Sequence, residues 1–271
     1  MVSLLFPSGG AFSIDGVHSD TWRMYMQSYD YALIPGLRVR LQSIPGRSGK
    51  RGKGAEIDSR IVRLSLVSVQ ANAPQIGNVS AVERSAMHDR LHAFAAAVDP
   101  ATGPHKLILL DDYPAWFLWV HTAAETPITP NLIIGTFQMQ FEAADPFFYS
   151  TTARNVAPTS VANAGALNLV NNGNQPTPGV FTVTATPAAI TGPLTLTLGG
   201  VGVTYGANLA LNDVLVIDTD KLTVTKNGIS DIANWSGDFP LIPVGASVPL
   251  TYSCPAGGFA SLSVQYTERN L

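Results

Sequence analysis

Apolar and polar residues alternate with the two-residue period of a β-strand in segment after segment of this chain. In the first half, residues 38–41 alternate, and residues 61–67, 106–110 and 116–120 run apolar or alternate at strand length. Residues 135–142 place Phe137, Met139 and Phe141 on one face. One segment breaks this rhythm. Ser80 and Glu83 make a capping box, and Met87, Leu91, Phe94 and Val98 follow at 4-3-4 spacing, which predicts a helix over about 80–98. Asp99 and Pro100 end it, because a residue before proline avoids helical geometry.

The second half reads as all-β. Residues 180–184 and 194–198 are clean period-2 segments with threonine on the wet face. Residues 214–218 and 222–226 flank a tight turn at 219–221, and Asn227-Gly228 supplies a second hairpin turn. Short strands at this spacing, broken by glycine and proline, predict a β-sandwich. The fold class is therefore mainly β with one helix. Between the strands of the first half, residues 45–54 read as a glycine-rich basic loop or hairpin tip.

Charge sharpens the division. Residues 1–150 hold 12 of the 16 Lys+Arg and 13 of the 19 Asp+Glu, and the rest of the chain turns to Thr, Val, Gly, Asn and Pro. A composition shift of this kind predicts two domains, 1–150 and 151–271. Hydrophobic residues make up 46% and charged residues 13%, which argues against disorder and for a surface that is polar-neutral or buried against other subunits. The net charge of −3 gives no global case for nucleic-acid binding. Cys254 is the single cysteine, so no disulfide framework or cysteine-rich metal site is expected and a small core role suits it. The opening residues lack a basic export signal, and apolar runs such as 115–120 are too short to cross a bilayer. Manufacture and assembly in a cytoplasm, without membrane insertion, are the expectation.

Candidate chemistry is sparse. His88 and His92 lie four apart on the predicted helix, but no zincin glutamate and no third ligand accompany them. Asp111-Asp112 is adjacent, so on a strand the two would diverge, and a turn between strands is the better reading. Residues 46–54 lack the order of a phosphate-binding loop. Within residues 38–63 stand eight Lys+Arg against Glu56 and Asp58, a local excess of six. That excess suits a solvated loop, a contact with an acidic patch on a neighbouring subunit, or nucleic acid without its stacking aromatics. Tyr113, Trp116, Phe117 and Trp119, and separately Trp235, are of the type that stacks on sugars, though such rings more often fill cores. No nucleophile, base and orienting group assemble from these motifs, so no catalytic, cofactor or metal residue is assigned.

In order along the chain, several motifs resemble those of siphophage distal tail proteins. Residues 12–17 look like that family's first strand, and residues 44–49 (IPGRSG) resemble its Pro-Gly-Arg-x-Gly turn. The helix near 80–98 and the segment 144–149 that closes the first domain come in the expected order. Residues 170–178, with Asn171, Gly173 and Asn174 before a proline-led strand, resemble the opening of the second domain. Asn212-Asp213, residues 215–218, the Asn-Gly turn and residues 239–245 complete the series. Two departures stand out: Asn212 replaces the usual glycine, and Val244 is inserted before Gly245.

The resemblance implies a non-enzymatic virion protein without cofactors. Its first, sandwich-like domain would build a homo-hexameric ring at the distal end of a long non-contractile phage tail. Its second domain would be a galectin-like sandwich projecting outward. The implied partners are the tail tube protein and the tail-tip hub or fibre proteins, assembled in the bacterial host cytoplasm. Arg47, Lys50, Arg51 and Lys53 are the expected subunit-interface residues. The alternative is a carbohydrate-binding module whose second domain meets host-surface glycans.

Overall fold

The computed structural model describes residues 10–43, 50–69, 81–124, 126–130, 134–162, 164–255 and 259–271. The chain divides into two compact units, Met1–Phe148 with Leu271, and Tyr149–Asn270.

The first unit contains, in chain order, β1 (Phe12–Ile14), β2 (Val17–His18), β3 (Met24–Tyr31), β4 (Leu37–Ser43), β5 (Lys50–Ile57) and β6 (Arg60–Val69). The helix α1 (Ala81–Ala97) follows, then β7 (His105–Leu109), β8 (Trp116–Thr122), β9 (Ile128–Pro130) and β10 (Ile134–Ala143). An antiparallel sheet runs in the order β2-β1-β7-β8-β10-β6-β3, with β9 on β10. Register explains its packing. β10 pairs Phe137, Met139 and Phe141 opposite Leu66, Leu64 and Val62 of β6. All six are buried, because a period-2 alternation on both strands delivers them to the same face.

That face is covered by α1, whose Met87, Leu91 and Phe94, with Val98 just beyond it, are buried in the same cluster. The Phe94 ring meets Trp22 edge-on at 5.3 Å and Phe12 at 6.2 Å, and lies 6.1 Å from Phe137. Ser80 and the Glu83 side chain of the expected capping box lie outside what is described.

One expectation is corrected. Residues 12–17 are not one strand: Asp15 (φ 51°) and Gly16 (φ 83°) turn the chain between β1 and β2. Asp-Gly is a favoured pair for a left-handed hairpin turn, and this local preference outweighs the alternation. The Asp15 carboxylate also accepts the Lys106 N–H at 2.7 Å, tying the turn to β7. Of residues 45–54, read as a loop or hairpin tip, those from Lys50 on lie in β5, which pairs antiparallel with β4 and carries Gly52 and Gly54 inside it. A register shift between Val39 and Leu41 absorbs the irregular spacing. The turn itself, residues 44–49, lies outside the described residues.

After β11 (Phe148–Ser150), the second unit contains β12 (Arg154–Ala162), β13 (Ala164–Asn171), β14 (Gly179–Ala185), β15 (Leu194–Leu198), β16 (Val201–Tyr205) and β17 (Val214–Asp218). It continues with β18 (Thr223–Lys226), β19 (Ile229–Ser230), β20 (Trp235–Ser236), β21 (Gly245–Ser253), β22 (Phe259–Tyr266) and β23 (Arg269–Asn270). One sheet has the order β12-β22-β14-β17-β18-β19 and the other β13-β21-β15-β16-β20. Leucines 194, 196 and 198 of β15 share one buried cluster with Phe181 and Val183 of β14, so the unit is a β-sandwich. The threonines between them are half-buried, as the alternation requires. Cys254 is buried in this core beside the Tyr252 hydroxyl.

The family-like motifs have physical reasons. Asn171 is fully buried, donates to the carbonyls of Gln175 and Ile242, and accepts the Gly173 N–H. A Cβ on Gly173 would stand 2.3 Å from the Arg269 carbonyl oxygen, so only glycine fits there. Asn212, in place of the usual glycine, has φ 68°, a conformation asparagine tolerates better than most residues. Asn227 and Gly228 (φ 51° and 79°) make the expected hairpin turn. The expected turn at 219–221 extends one residue, because Leu222 is itself left-handed (φ 55°).

Asp213 ties these turns together. Its carboxylate accepts from Asn227 Nδ2 (2.8 Å), Lys226 Nζ (2.9 Å) and the Ala210 N–H (2.8 Å). The Asn227 bond foremost, then those from Lys226 and Ala210, hold its pKa down at about 2. A carboxyl that is more acidic folded than unfolded stabilises the fold fully above about pH 4, and that stabilisation disappears as pH falls toward the folded value. Thermal melts of the wild type should therefore lose stability between pH 4 and 2. Asp213→Asn should melt lower at neutral pH and show a shallower acid limb. In the first unit, Phe94→Ala should cost about 3–5 kcal/mol in urea denaturation, the range for emptying an aromatic core site.

Candidate interaction surface

Strands β4 and β5 form a two-stranded sheet of their own, paired with no other described strand. Leu37 lies opposite Ile57 and Val39 opposite Ala55, so alternation collects Leu37, Val39 and Ile57 on one face of the ribbon. These three are 54%, 54% and 38% exposed, and Leu33 and Ile34, just before the ribbon, are 77% and 63% exposed. A run of five exposed aliphatic residues on one projection is unlike the scattered apolar residues of an ordinary surface.

The root of the ribbon is fastened on both sides. Arg38 grips Asp58 with two bonds of 3.0 Å, and this guanidinium foremost holds the Asp58 carboxyl below the usual range. The Asp58 N–H donates to the Gly36 carbonyl, and the Ser59 hydroxyl donates to Glu142 at 2.5 Å. Next in sequence, Arg60 is 1% exposed. Its Nε donates to the Pro146 carbonyl (2.9 Å) and its Nη1 to the Ala32 carbonyl (2.7 Å). The guanidinium lies over the Phe148 ring at 4.9 Å and the Tyr31 ring at 5.5 Å. Burial lowers the Arg60 pKa. Burial also pushes the Tyr31 phenol up to about 12, with its bond to Tyr113 adding to the effect. One buried cation thus holds both the entry and the exit of the ribbon.

This arrangement dissolves part of the basic excess read from residues 38–63. Arg38 is paired with Asp58, Arg60 is buried, and Arg63 bonds Gln140 at 3.2 Å and Asp30 at 3.5 Å. Of the proposed contact residues, Lys50 and Arg51 pair through their backbones with Ser43 and Gln42 at the ribbon end away from its root. Lys53 follows on β5, and Arg47 lies in the segment outside the described residues. The apolar face was the feature that sequence reasoning missed. Its signal is present in the Leu37-Arg38-Val39-Arg40-Leu41 alternation, but a strand pattern does not reveal that no described residue covers it.

The other candidates are occupied or scattered. His88 and His92 are both exposed on α1, and the described residues hold no group of three that suits a metal. Asp111 and Asp112 lie in the turn between β7 and β8. Phe117 is buried with Lys106 Nζ over its ring at 4.3 Å, while Trp116 packs on the first core and Trp119 is exposed. Trp235 is half-buried and stacked on Phe239 at 5.6 Å, which leaves its ring no open platform on that side. Tyr205 donates its hydroxyl to Asp231 beside them, and this bond foremost lowers the Asp231 carboxyl. No described helix is long and apolar enough to cross a membrane.

Residues 172–269 match the family described as siphovirus-type tail component, C-terminal domain. Over nearly its whole length the chain has the fold of the SPP1 Dit protein, a hub of the adsorption apparatus in phages that infect Gram-positive bacteria. The two are 11% identical, with a TM-score of 0.70 over 96% of this chain and 99% of that one. A chain of the phage p2 baseplate in its activated conformation with strontium is 9% identical, with a TM-score of 0.46 over 94% of this chain and 97% of that one. No curated protein matches the chain by sequence.

Replacing the buried arginine by a residue of similar volume removes two donors from two carbonyls. Arg60→Met should therefore cost about 1–3 kcal/mol in urea denaturation. It should also make the backbone amides at the ribbon root exchange faster with solvent.

Proposed function

From a chain whose residues 172–269 are a siphovirus-type tail component domain, we propose a structural subunit of the phage tail hub. In this reading the first unit closes a homo-hexameric ring at the distal end of a long non-contractile tail, between the tail tube and the tip proteins. The second unit faces outward, and the protein works by assembly, not by catalysis. The observation that carries the proposal is the β4–β5 ribbon, with Leu37, Val39 and Ile57 exposed on a sheet of two strands. A two-stranded ribbon is marginal in water and gains stability when its apolar face is covered. A head-to-tail contact repeated around a closed rotation gives each copy's ribbon one neighbour to lie on. The basic positions Arg47, Lys50, Arg51 and Lys53 then set the register of that contact by charge.

Light scattering on a sizing column tests this directly. Six chains of 28.7 kDa weigh about 172 kDa, and negative-stain images of that peak should show rings. Leu37→Asp with Val39→Asp should leave folded monomers, because a buried unpaired carboxylate is costly in any interface. A wild type that stays monomeric at every concentration, or a double variant that still forms rings, would contradict the reading.

A further inference from the structure

Three arginines of the first unit are satisfied inside it. Arg38 and Arg63 meet Asp58 and Asp30, and Arg60 bonds two carbonyls. Two others are not: neither Arg23 nor Arg90 forms an ion pair with a carboxylate among the described residues. Asp20, the acid nearest to Arg23 in sequence, lies instead 3.4 Å from His18 Nδ1.

The fold brings these two cations together. The Trp22 and Phe94 rings meet edge-on with centroids 5.3 Å apart. Arg23 directly follows Trp22, and Arg90 stands one turn before Phe94 on α1, on the same side because residues four apart share a face. Arg23 closes the short 3-10 helix Ser19–Trp22 in a left-handed conformation (φ 50°), with its N–H bonded to the Asp20 carbonyl at 2.9 Å. That bond fixes where its side chain leaves the backbone.

Arg90 is half-buried, and its Nε is shielded from solvent with no hydrogen-bond partner. Burial foremost, and next the neighbouring Arg23 charge, lower the Arg90 pKa. A charged donor buried without an acceptor is costly, and a second cation beside it adds to the cost. An anion at this place relieves both. A single carboxylate would neutralise one charge, whereas a tetrahedral dianion offers oxygens to two guanidinium groups at once.

We infer that Arg23 and Arg90 form a binding site for a tetrahedral oxyanion of the phosphate or sulfate class. Arg90 donates through its buried Nε, and the exposed Arg23 closes the site from the solvent side. The site lies within the first unit and does not depend on how copies of the chain associate.

Isothermal titration calorimetry of the full chain with inorganic phosphate, at constant ionic strength, tests the inference. The wild type should give a saturable isotherm with one phosphate per chain. Arg90→Gln and Arg23→Gln should each weaken binding about tenfold or more, the loss expected for a hydrogen bond to a charged group. In phosphate-free buffer Arg90→Gln should melt no lower than the wild type, because it removes an unpaired buried charge, so its lost binding is not a folding defect. Arg23 is exposed, and its replacement gives a second reading away from the core. A wild type without a saturable isotherm would overturn the inference. So would variants that bind phosphate as tightly as the wild type, which would mean that anions collect on the chain without this site. An Arg90→Gln chain that melts well below the wild type without phosphate would also overturn it, by showing that Arg90 serves the fold itself.

Discussion

A sheet of two strands can cover neither of its faces, and in this chain one of those faces is apolar. Leu37, Val39 and Ile57 are held out on a ribbon whose strands pair only with each other. Left in water, that face forgoes the hydrophobic stabilisation its residues would gain on burial. The first unit nevertheless holds the ribbon firmly at its root. Arg60, buried without a carboxylate partner among the described residues, bonds carbonyls at Ala32 and Pro146 and packs on Tyr31 and Phe148. Burying a guanidinium is costly, so its placement under the root favours a projection of fixed direction over a loose loop. Fixed direction matters for assembly, because ordering a flexible arm at the moment of contact would subtract from its affinity.

The second unit is built on the opposite principle. Both of its sheets turn their apolar residues into one shared core, and its charged groups satisfy one another at the turns. Asp213 gathers three donors, and Asp218 accepts the N–H groups of Asp220 and Lys221 within its own turn. Glu268 bonds Arg154 and the Asn172 N–H. Each of its sheets thus finds its cover in the other, within the same unit.

Much of this architecture is legible in the residues, and the illegible parts have identifiable causes. The 4-3-4 spacing from Met87 to Val98 names the buried side of α1, because one helical face supplies the whole contact. The alternation at 135–142 names the buried side of β10 for the same reason. β3 reads poorly because its inner residues change from methionines to half-buried tyrosines across a register slip at Gln27. Asp15-Gly16 was hidden inside an apparent strand, since a turn pair interrupts alternation without disturbing composition. Arg60 was counted with the surface cations: nothing in sequence marks an arginine whose partners, Ala32 and Pro146, are backbone carbonyls far along the chain. The exposed ribbon face was legible as a strand and illegible as a surface, because burial depends on what packs above.

Hydrogen exchange followed residue by residue, with the chain dilute and then assembled, probes the uncovered face most directly. On assembly, amides in Leu37–Ser43 and Lys50–Ile57 should become strongly protected, while those of Arg60–Val69 and Ile134–Ala143, already inside a covered sheet, stay as they were. Ribbon protection that is the same in the monomer and in the assembly would contradict the claim that a neighbouring subunit covers it.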